Sequence, residues 1–380
     1  MPSVFAALSC TKTMSDAKPI RVGIIGMGRS GRDIHAAQLM TMSDHYKLAA
    51  VADGLHERRD RTVQEYDCRA YPTYQEMIEA EPFGLIVNAS PSDLHFPITF
   101  DLLNRGFNVL CEKPLAKSTL EVDRLIEASD KSGKLLAVFQ QNRYLPAFVK
   151  IREIIDSGVL GRIVQVDFTN SGFTRRWDWQ TLQSNNGGSL LNTGPHQVDQ
   201  ALQLFGADVP PHVFCVMDRT NTFGDAEDYV KLILHGAGQP TIDIEISSCS
   251  AYSRPPFVIQ GTNGGLHGNS QLFEWKYFKP EEAPKQELVR EPLIGNDGNP
   301  AYCQEVLRWH EHRWEISLPE GKSSLSHMAG QLYLMLHRTL TAGEPLDITP
   351  QQVRRQMMVM EECRRQNPQI YSATIDTAAS

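Results

Sequence analysis

The chain has 380 residues, enough for two domains, and is 41% hydrophobic and 22% charged, the balance of a globular protein with a sizeable core. A formal net charge of −8 argues against the broad basic face that nucleic-acid binders carry. No apolar run approaches the roughly 20 residues of a membrane-spanning helix.

Residues 1–18 contain Ser, Thr and Lys but lack a charged start followed by a long apolar stretch. Leu8-Ser9-Cys10 resembles a lipoprotein cleavage site, yet the apolar segment before it is too short, and a disordered tail is expected. Seven cysteines (Cys10, Cys68, Cys111, Cys215, Cys249, Cys303 and Cys363) form no CxxC pair and are odd in number. They read as reduced, mostly buried thiols of a cytoplasmic protein.

From residue 19 to 140, apolar runs alternate with helical patterns. Ile20–Ile25, Leu48–Ala52, Leu85–Ala89, Val109–Cys111 and Leu135–Phe139 are predicted strands. Ile34–Met42, Glu57–Tyr66, Tyr74–Ala80, Leu94–Asn104 and Leu120–Ser132 are predicted helices. This repetition implies an α/β domain with a parallel sheet covered on both faces. Residues 141–380 read as a second, α+β domain. It opens with a helix at Phe148–Ser157, a strand at Ile163–Asn170, a Trp- and Gly-rich loop and a helix at His196–Phe205. Strand-like runs follow at Val213–Asp218, Tyr229–Leu234, Ile242–Ser248, Phe257–Gln260 and Phe273–Phe278, separated by turn signals such as Thr262-Asn-Gly-Gly. They predict a large, mainly antiparallel sheet with helices on one face. Residues 279–300 are polar and read as a surface excursion; helices are expected at Leu325–Leu340 and Gln351–Arg365, with Pro350 in a first turn.

Gly26-Met27-Gly28-Arg29-Ser30-Gly31 follows the first strand and opens a helix. In that context GxGxxG is a dinucleotide fingerprint: tight turn, close backbone approach to a pyrophosphate, and close helix–strand packing. The free N–H groups and dipole of the helix then favour phosphate. Asp53 ends the second apolar run, placed to accept hydrogen bonds from the adenosine ribose hydroxyls and to repel a 2′-phosphate. NAD is therefore expected, with Arg58 and Arg59 close enough to keep NADP open. A helix cap is the alternative role for Asp53.

Three further segments narrow the reading: Ser90-Pro91-Ser-Asp-Leu-His95, Glu112-Lys113-Pro114, and Gly187-Gly188-Ser-Leu-Leu-Asn192-Thr-Gly-Pro-His196-Gln-Val-Asp199. With the glycine turn, their order and spacing over residues 20–365 resemble the glucose–fructose oxidoreductase/inositol dehydrogenase family (Gfo/Idh/MocA). That resemblance implies a Rossmann domain, an open-faced sheet domain, NAD or NADP, sugar-like substrates, and homodimers or homotetramers built through the sheet.

By position, Lys113 matches the catalytic lysine of that family and His196 its catalytic histidine. An ammonium at a strand's carboxyl end can stabilise an alkoxide-like oxygen, and an imidazole can carry the accompanying proton. A solvated lysine and a backbone-bonded histidine are the structural alternatives. Asn192 stands where many members have aspartate; an amide orients substrate but gives an imidazolium less support, so His196 should hold its proton less tightly. Ser90, Pro91 and His95 match positions lining the nicotinamide end, and Glu112 lies by its ribose, though His95 could be only a helix-start residue. Asn142-Arg143-Tyr144 and Arg175-Arg176-Trp177-Asp178-Trp179 offer sugar-binding groups in Asn142, Arg143, Arg176 and Trp179; packing and surface ion pairs are the alternatives. His310 and His312 lack the i, i+4 spacing of HExxH, and no metal site is expected.

These residues point to hydride transfer at a secondary hydroxyl or ketone of a sugar, glycoside or cyclic polyol. A lyase or glycosidase working through transient oxidation, and a nucleotide-binding sensor without turnover, are the other readings.

Overall fold

The computed structural model describes residues 18–207 and 209–371. Residues 1–17 of the expected tail, and with them Cys10, lie outside the described residues. The chain forms two compact units, one ending at Ile86 and one beginning at Val87.

In the first unit, β1 (Ile20–Ile25) runs into the glycine turn and a helix that is π-wound over Ser30–Ala36 and continues as α1 (Ala37–Met40). There follow β2 (Tyr46–Ala52), α2 (His56–Tyr66), β3 (Arg69–Tyr71) and α3 (Tyr74–Ala80). Thr73 caps α3 by accepting the Glu76 N–H. The chain leaves this unit through β4 (Leu85–Asn88).

The second unit continues with α4 (His95–Asn104), β5 (Val109–Cys111), α5 (Thr119–Ser132) and β6 (Leu136–Val138). Six parallel strands form one sheet in the order β3-β2-β1-β4-β5-β6, with strand order reversing between β1 and β4. All of β4, β5 and β6 is buried, as the unbroken apolar runs required of strands covered on both faces.

After α6 (Pro146–Asp156) comes β7 (Ile163–Ser171), then α7 (Ser189–Asn192) and α8 (Gly194–Phe205). β8 (His212–Asp218), β9 (Tyr229–His235), β10 (Thr241–Ser247), β11 (Phe257–Gly261), β12 (Gly264–Gly268) and β13 (Leu272–Tyr277) follow. A small hairpin of β14 (Leu293–Ile294) and β15 (Pro300–Ala301) lies in the 279–309 excursion, before β16 (His310–Glu315). Helices α9 (Ser324–Ala342), α10 (Pro350–Arg365) and α11 (Pro368–Tyr371) complete the unit.

The second sheet has eight strands in the order β16-β13-β12-β11-β7-β10-β9-β8. Among its strand pairs only β7 with β10 is parallel, so the sheet is mainly antiparallel. Alternation decides its faces. Val230, Leu232, Leu234, Ile242, Ile244 and Ile246 point into the core, against α7 and α8, while Phe214 and Val216 on β8 remain 51% and 45% exposed on the other face. The backbone of β8 is bridged by side chains: Asn367 accepts from the Met217 N–H (2.9 Å) and donates to the Cys215 carbonyl (3.1 Å).

β3, β12 and β16 depart from the expectations, which had no strand there. Gly264-Gly-Leu-His-Gly has little strand propensity of its own and is held between β11 and β13. β16, with sequence HEHRWE, lacks an apolar run, but its His and Trp side chains stack on β13: Trp314 on Phe273 and His312 on Trp275, with centroids 4.8 and 5.1 Å apart. No described helix is long and apolar enough to cross a membrane.

Candidate functional site

The glycine turn is closed by its own backbone. Gly26 has φ +86°, and a Cβ on Gly31 would lie 1.9 Å from the Gly26 carbonyl oxygen, so no side chain fits at Gly31. A Cβ on Gly28 would meet only Arg58 Nη1, at 3.7 Å. The buried carboxylate of Asp53 accepts the Met27 N–H (2.7 Å) on Oδ2 and the Leu55 N–H (2.9 Å) on Oδ1. It therefore anchors the turn as well as the start of α2. Arg58 Nη1 is 3.4 Å from Oδ2, and Arg59 Nη1 donates to the Asp53 carbonyl (2.8 Å). The site fits a dinucleotide: a turn with open space at Gly28 and no room for a side chain at Gly31, a helix start beyond it, and a carboxylate at the adjoining strand end.

In the second unit, the Ser90 and Lys113 turns are joined by one buried imidazole. His95 Nδ1 contacts the Pro114 carbonyl (2.6 Å), and Nε2 contacts the Ser90 carbonyl (3.0 Å). Burial holds the pKa of His95 below the usual range, against those carbonyls and Glu112. Both ring nitrogens are thus engaged inside the protein, which gives His95 an interior role. Ser90 Oγ donates to Asn88 Oδ1 (2.7 Å), and buried Glu112 accepts the Lys113 N–H (3.0 Å).

Lys113 Nζ donates to the main-chain carbonyl of Asn192 (2.8 Å). His196, four residues on, is half-buried; its Nδ1 is sealed from solvent with no hydrogen-bond partner. Burial, then the Lys113 charge, push its pKa down to about 3, with Glu112 opposing. Burial and Lys113, not Asn192, are the causes of this lowering.

Arg176 and Asn192 line a cavity of about 230 Å³, together with Asn170, Ser189, Glu227 and Asp228. Asn142, Arg143 and Trp179 are not among its lining residues. The Asn142 carbonyl accepts from Gln200 (2.9 Å). Arg143 is buried: Nε and Nη2 are directed to the two carboxylate oxygens of Asp199, and Nη1 donates to the Asp347 carbonyl and Gln352 Oε1, both 3.2 Å away. Its guanidinium ties the 141–144 turn to α8 and α10. Trp179 is exposed, in a short 3-10 turn (Trp179–Thr181). The Arg176 guanidinium is held by Asp178 (2.7 and 2.8 Å) and Gln180 (2.7 Å).

Sequence reading missed Glu227 and Tyr371. Buried Glu227 accepts the Leu190 N–H (2.7 Å) and the Tyr371 hydroxyl. Burial pushes its pKa up to about 7, with Tyr371 and the Leu190 N–H working against that rise. The acid pair Glu227-Asp228 before a strand is the only local hint. Asp228 is different: although burial opposes it, the N–H groups of Thr220 and Asn221 hold its pKa low.

Residues 20–140 match the oxidoreductase family with an NAD-binding Rossmann fold, and residues 148–267 match the GFO/IDH/MocA C-terminal domain. An uncharacterized oxidoreductase of Schizosaccharomyces pombe is 26% identical over 362 residues, 88% of this chain and 93% of its own. The scyllo-inositol 2-dehydrogenase (NADP(+)) IolW of Bacillus subtilis is 28% identical over 256 residues, 67% of this chain and 68% of its own. Among solved structures, the oxidoreductase YvaA of Bacillus subtilis aligns with a TM-score of 0.75 at 18% identity, over 94% of this chain and 98% of that one, a likeness of fold. The two family matches, on the six-stranded parallel sheet and on the large mixed sheet, place this chain in the Gfo/Idh/MocA family of oxidoreductases, enzymes built on an NAD-binding Rossmann fold.

Proposed function

We propose that the protein interconverts a secondary hydroxyl and a ketone on an uncharged sugar, glycoside or cyclic polyol, with a nicotinamide dinucleotide as hydride carrier. The observation that carries this reading is Lys113 Nζ, held 2.8 Å from the Asn192 carbonyl and acting electrostatically on a neutral His196. When bound, the nicotinamide supplies the acceptor for the hydride that leaves the carbinol carbon. The Lys113 ammonium donates to the substrate oxygen and stabilises its developing negative charge. His196 takes the hydroxyl proton at Nε2, because Nδ1 is sealed without a partner. In the reverse direction the same groups return the proton to the carbonyl oxygen.

Asn192 and Arg176 orient the substrate from the cavity wall. That wall also carries Glu227 and Asp228, and Arg176 is already neutralised by Asp178. These charges favour neutral polyols over sugar acids. Gly26, Met27, Gly28, Arg29, Ser30 and Gly31 hold the pyrophosphate, Asp53 meets the adenosine ribose, and Ser90, Pro91 and Glu112 face the nicotinamide end. NAD is the favoured cofactor because of Asp53; Arg58, 3.4 Å from it, is the observation that supports NADP. Residues 19–140 then serve as the cofactor domain and 141–380 as the substrate domain. Pairing of two or four copies through the open face of the large sheet accounts for exposed Phe214 and Val216. Light scattering should lose that assembly in Phe214→Lys.

A substrate panel followed by reduced-cofactor absorbance tests the reading. Net reduction of NAD by an uncharged polyol supports it. Product release without net cofactor change indicates a lyase or glycosidase. Cofactor binding with no turnover on a broad panel indicates a sensor.

A further inference from the structure

We propose that Glu227, tied to Tyr371, is a positioning residue that sets α7 and, through it, the Lys113–Asn192 contact and His196. The inference rests on the functional reading above only for its effect on turnover.

α7 begins on Glu227. The Glu227 carbonyl accepts the Ser189 N–H (3.0 Å), and its Oε1 accepts the Leu190 N–H (2.7 Å). Two residues later comes Asn192, whose carbonyl receives Lys113, and four further on comes His196. A Cβ on Gly188 would lie 2.5 Å from Glu227 Oε2, so only glycine there lets the carboxylate reach the turn. Oε2 in turn accepts the Tyr371 hydroxyl from α11. α11 is itself fastened, since Gln183 Nε2 donates to the Ile370 carbonyl (2.8 Å) and the Arg364 guanidinium lies 6.0 Å from the Tyr371 ring centroid. No catalytic contact is needed for this role; the carboxylate acts through main-chain N–H groups.

The strut depends on charge. An ionised carboxylate accepts both donors in charge-assisted bonds; protonated, it makes weaker ones. Burial places the crossover near 7. The groups facing it are Tyr371 on α11 and Arg364 on α10, with Asp228 and Arg176 on the shared cavity wall; Asp225 acts on Tyr371. As pH rises through 7, α7 is held more firmly and turnover rises. His196 does not itself titrate there, so its ring reports the change passively.

The test uses full-length enzyme with bound NAD and compares wild type, Glu227→Gln and Tyr371→Phe. His196 ring NMR signals and the pH profile of kcat are both recorded. In wild type, the His196 signals should move with a midpoint near 7, and kcat should fall on the acid side of the same midpoint. In Glu227→Gln both dependences should vanish, with kcat at pH 8 roughly tenfold lower and NAD Kd within about twofold. In Tyr371→Phe the midpoint should rise by about one pH unit, because a donor to the ionised form is lost. Persistence of the wild-type midpoint in Glu227→Gln overturns the proposal. If that variant does not fold, an unmoved midpoint in Tyr371→Phe overturns it instead. Movement of the His196 signals in a wild type with no redox turnover would defeat the functional reading and leave the strut standing.

Discussion

Lys113 Nζ is held by the main-chain oxygen of Asn192, not by its side chain. Any residue at 192 can supply that carbonyl, so the ammonium's position is insulated from the Asn-for-Asp exchange. Asn192 also lines the cavity.

Lys113→Ala should lower kcat by about 10²–10³ while NAD affinity stays within a few-fold, because the amine acts on the reacting oxygen. Asn192→Asp should keep the Lys113 anchor and add a carboxylate near His196, raising the imidazole pKa. Steady-state kinetics and cofactor titration check both. Wild-type-like turnover in Lys113→Ala would remove it from the mechanism, and higher turnover in Asn192→Asp with unchanged substrate preference would show that positioning is too narrow a role for Asn192.

His196 has its own pH signature in stability. Its pKa is about 3 in the folded protein against 6.5 ordinarily, so between those values the unfolded chain binds the extra proton. Stability linked to His196 is therefore complete above 6.5 and is lost as pH falls toward 3. His196→Gln should lose less stability than wild type between pH 7 and pH 5, as read by denaturant melts at the two pH values. Equal losses would show that the ring is not held neutral.

Arg143 and Asp199 form a buried ion pair across 56 residues of sequence. Removing one partner leaves an uncompensated buried charge, so Arg143→Ala or Asp199→Ala should each cost about 3–5 kcal/mol in unfolding free energy. A Michaelis constant raised in Arg143→Ala without loss of stability would return Arg143 to substrate binding.

Gly188→Ala places a methyl against the Glu227 carboxylate and demands φ +100° of a residue with a side chain. The positive φ alone should cost about 1–3 kcal/mol in thermal melts. Turnover should fall further than stability predicts, because the same clash displaces α7. Unchanged kcat in a folded Gly188→Ala would count against the Glu227 contact.

The glycine turn, the parallel-sheet strands other than β3 and the helices after them were legible in the chain itself. Buried strands need unbroken apolar runs, and a phosphate turn needs glycine at fixed spacing; both are local demands. The antiparallel runs of the second sheet were legible for the same reason, since β9 and β10 alternate in and out residue by residue. β16 was not, because its strand character comes from stacking on β13 rather than from its own polar sequence. The contacts of Arg143 and His95 were equally hidden: the guanidinium pairs with Asp199 56 residues away, and the imidazole contacts the carbonyls of two separate turns.

Sequence by itself determined the fold class and the glycine turn, because each is written in residue types at short, fixed spacing, and resemblance to the family singled out Lys113 and His196. Tertiary structure alone decided what holds them. Asn192 reaches Lys113 across 79 residues, and Tyr371 reaches Glu227 across 144. The burial that sets the His196 and Glu227 pKa values belongs to packing from distant elements. Hydrogen bonds and desolvation depend on what folds alongside a residue, and that neighbourhood has no spacing in the chain from which to read it.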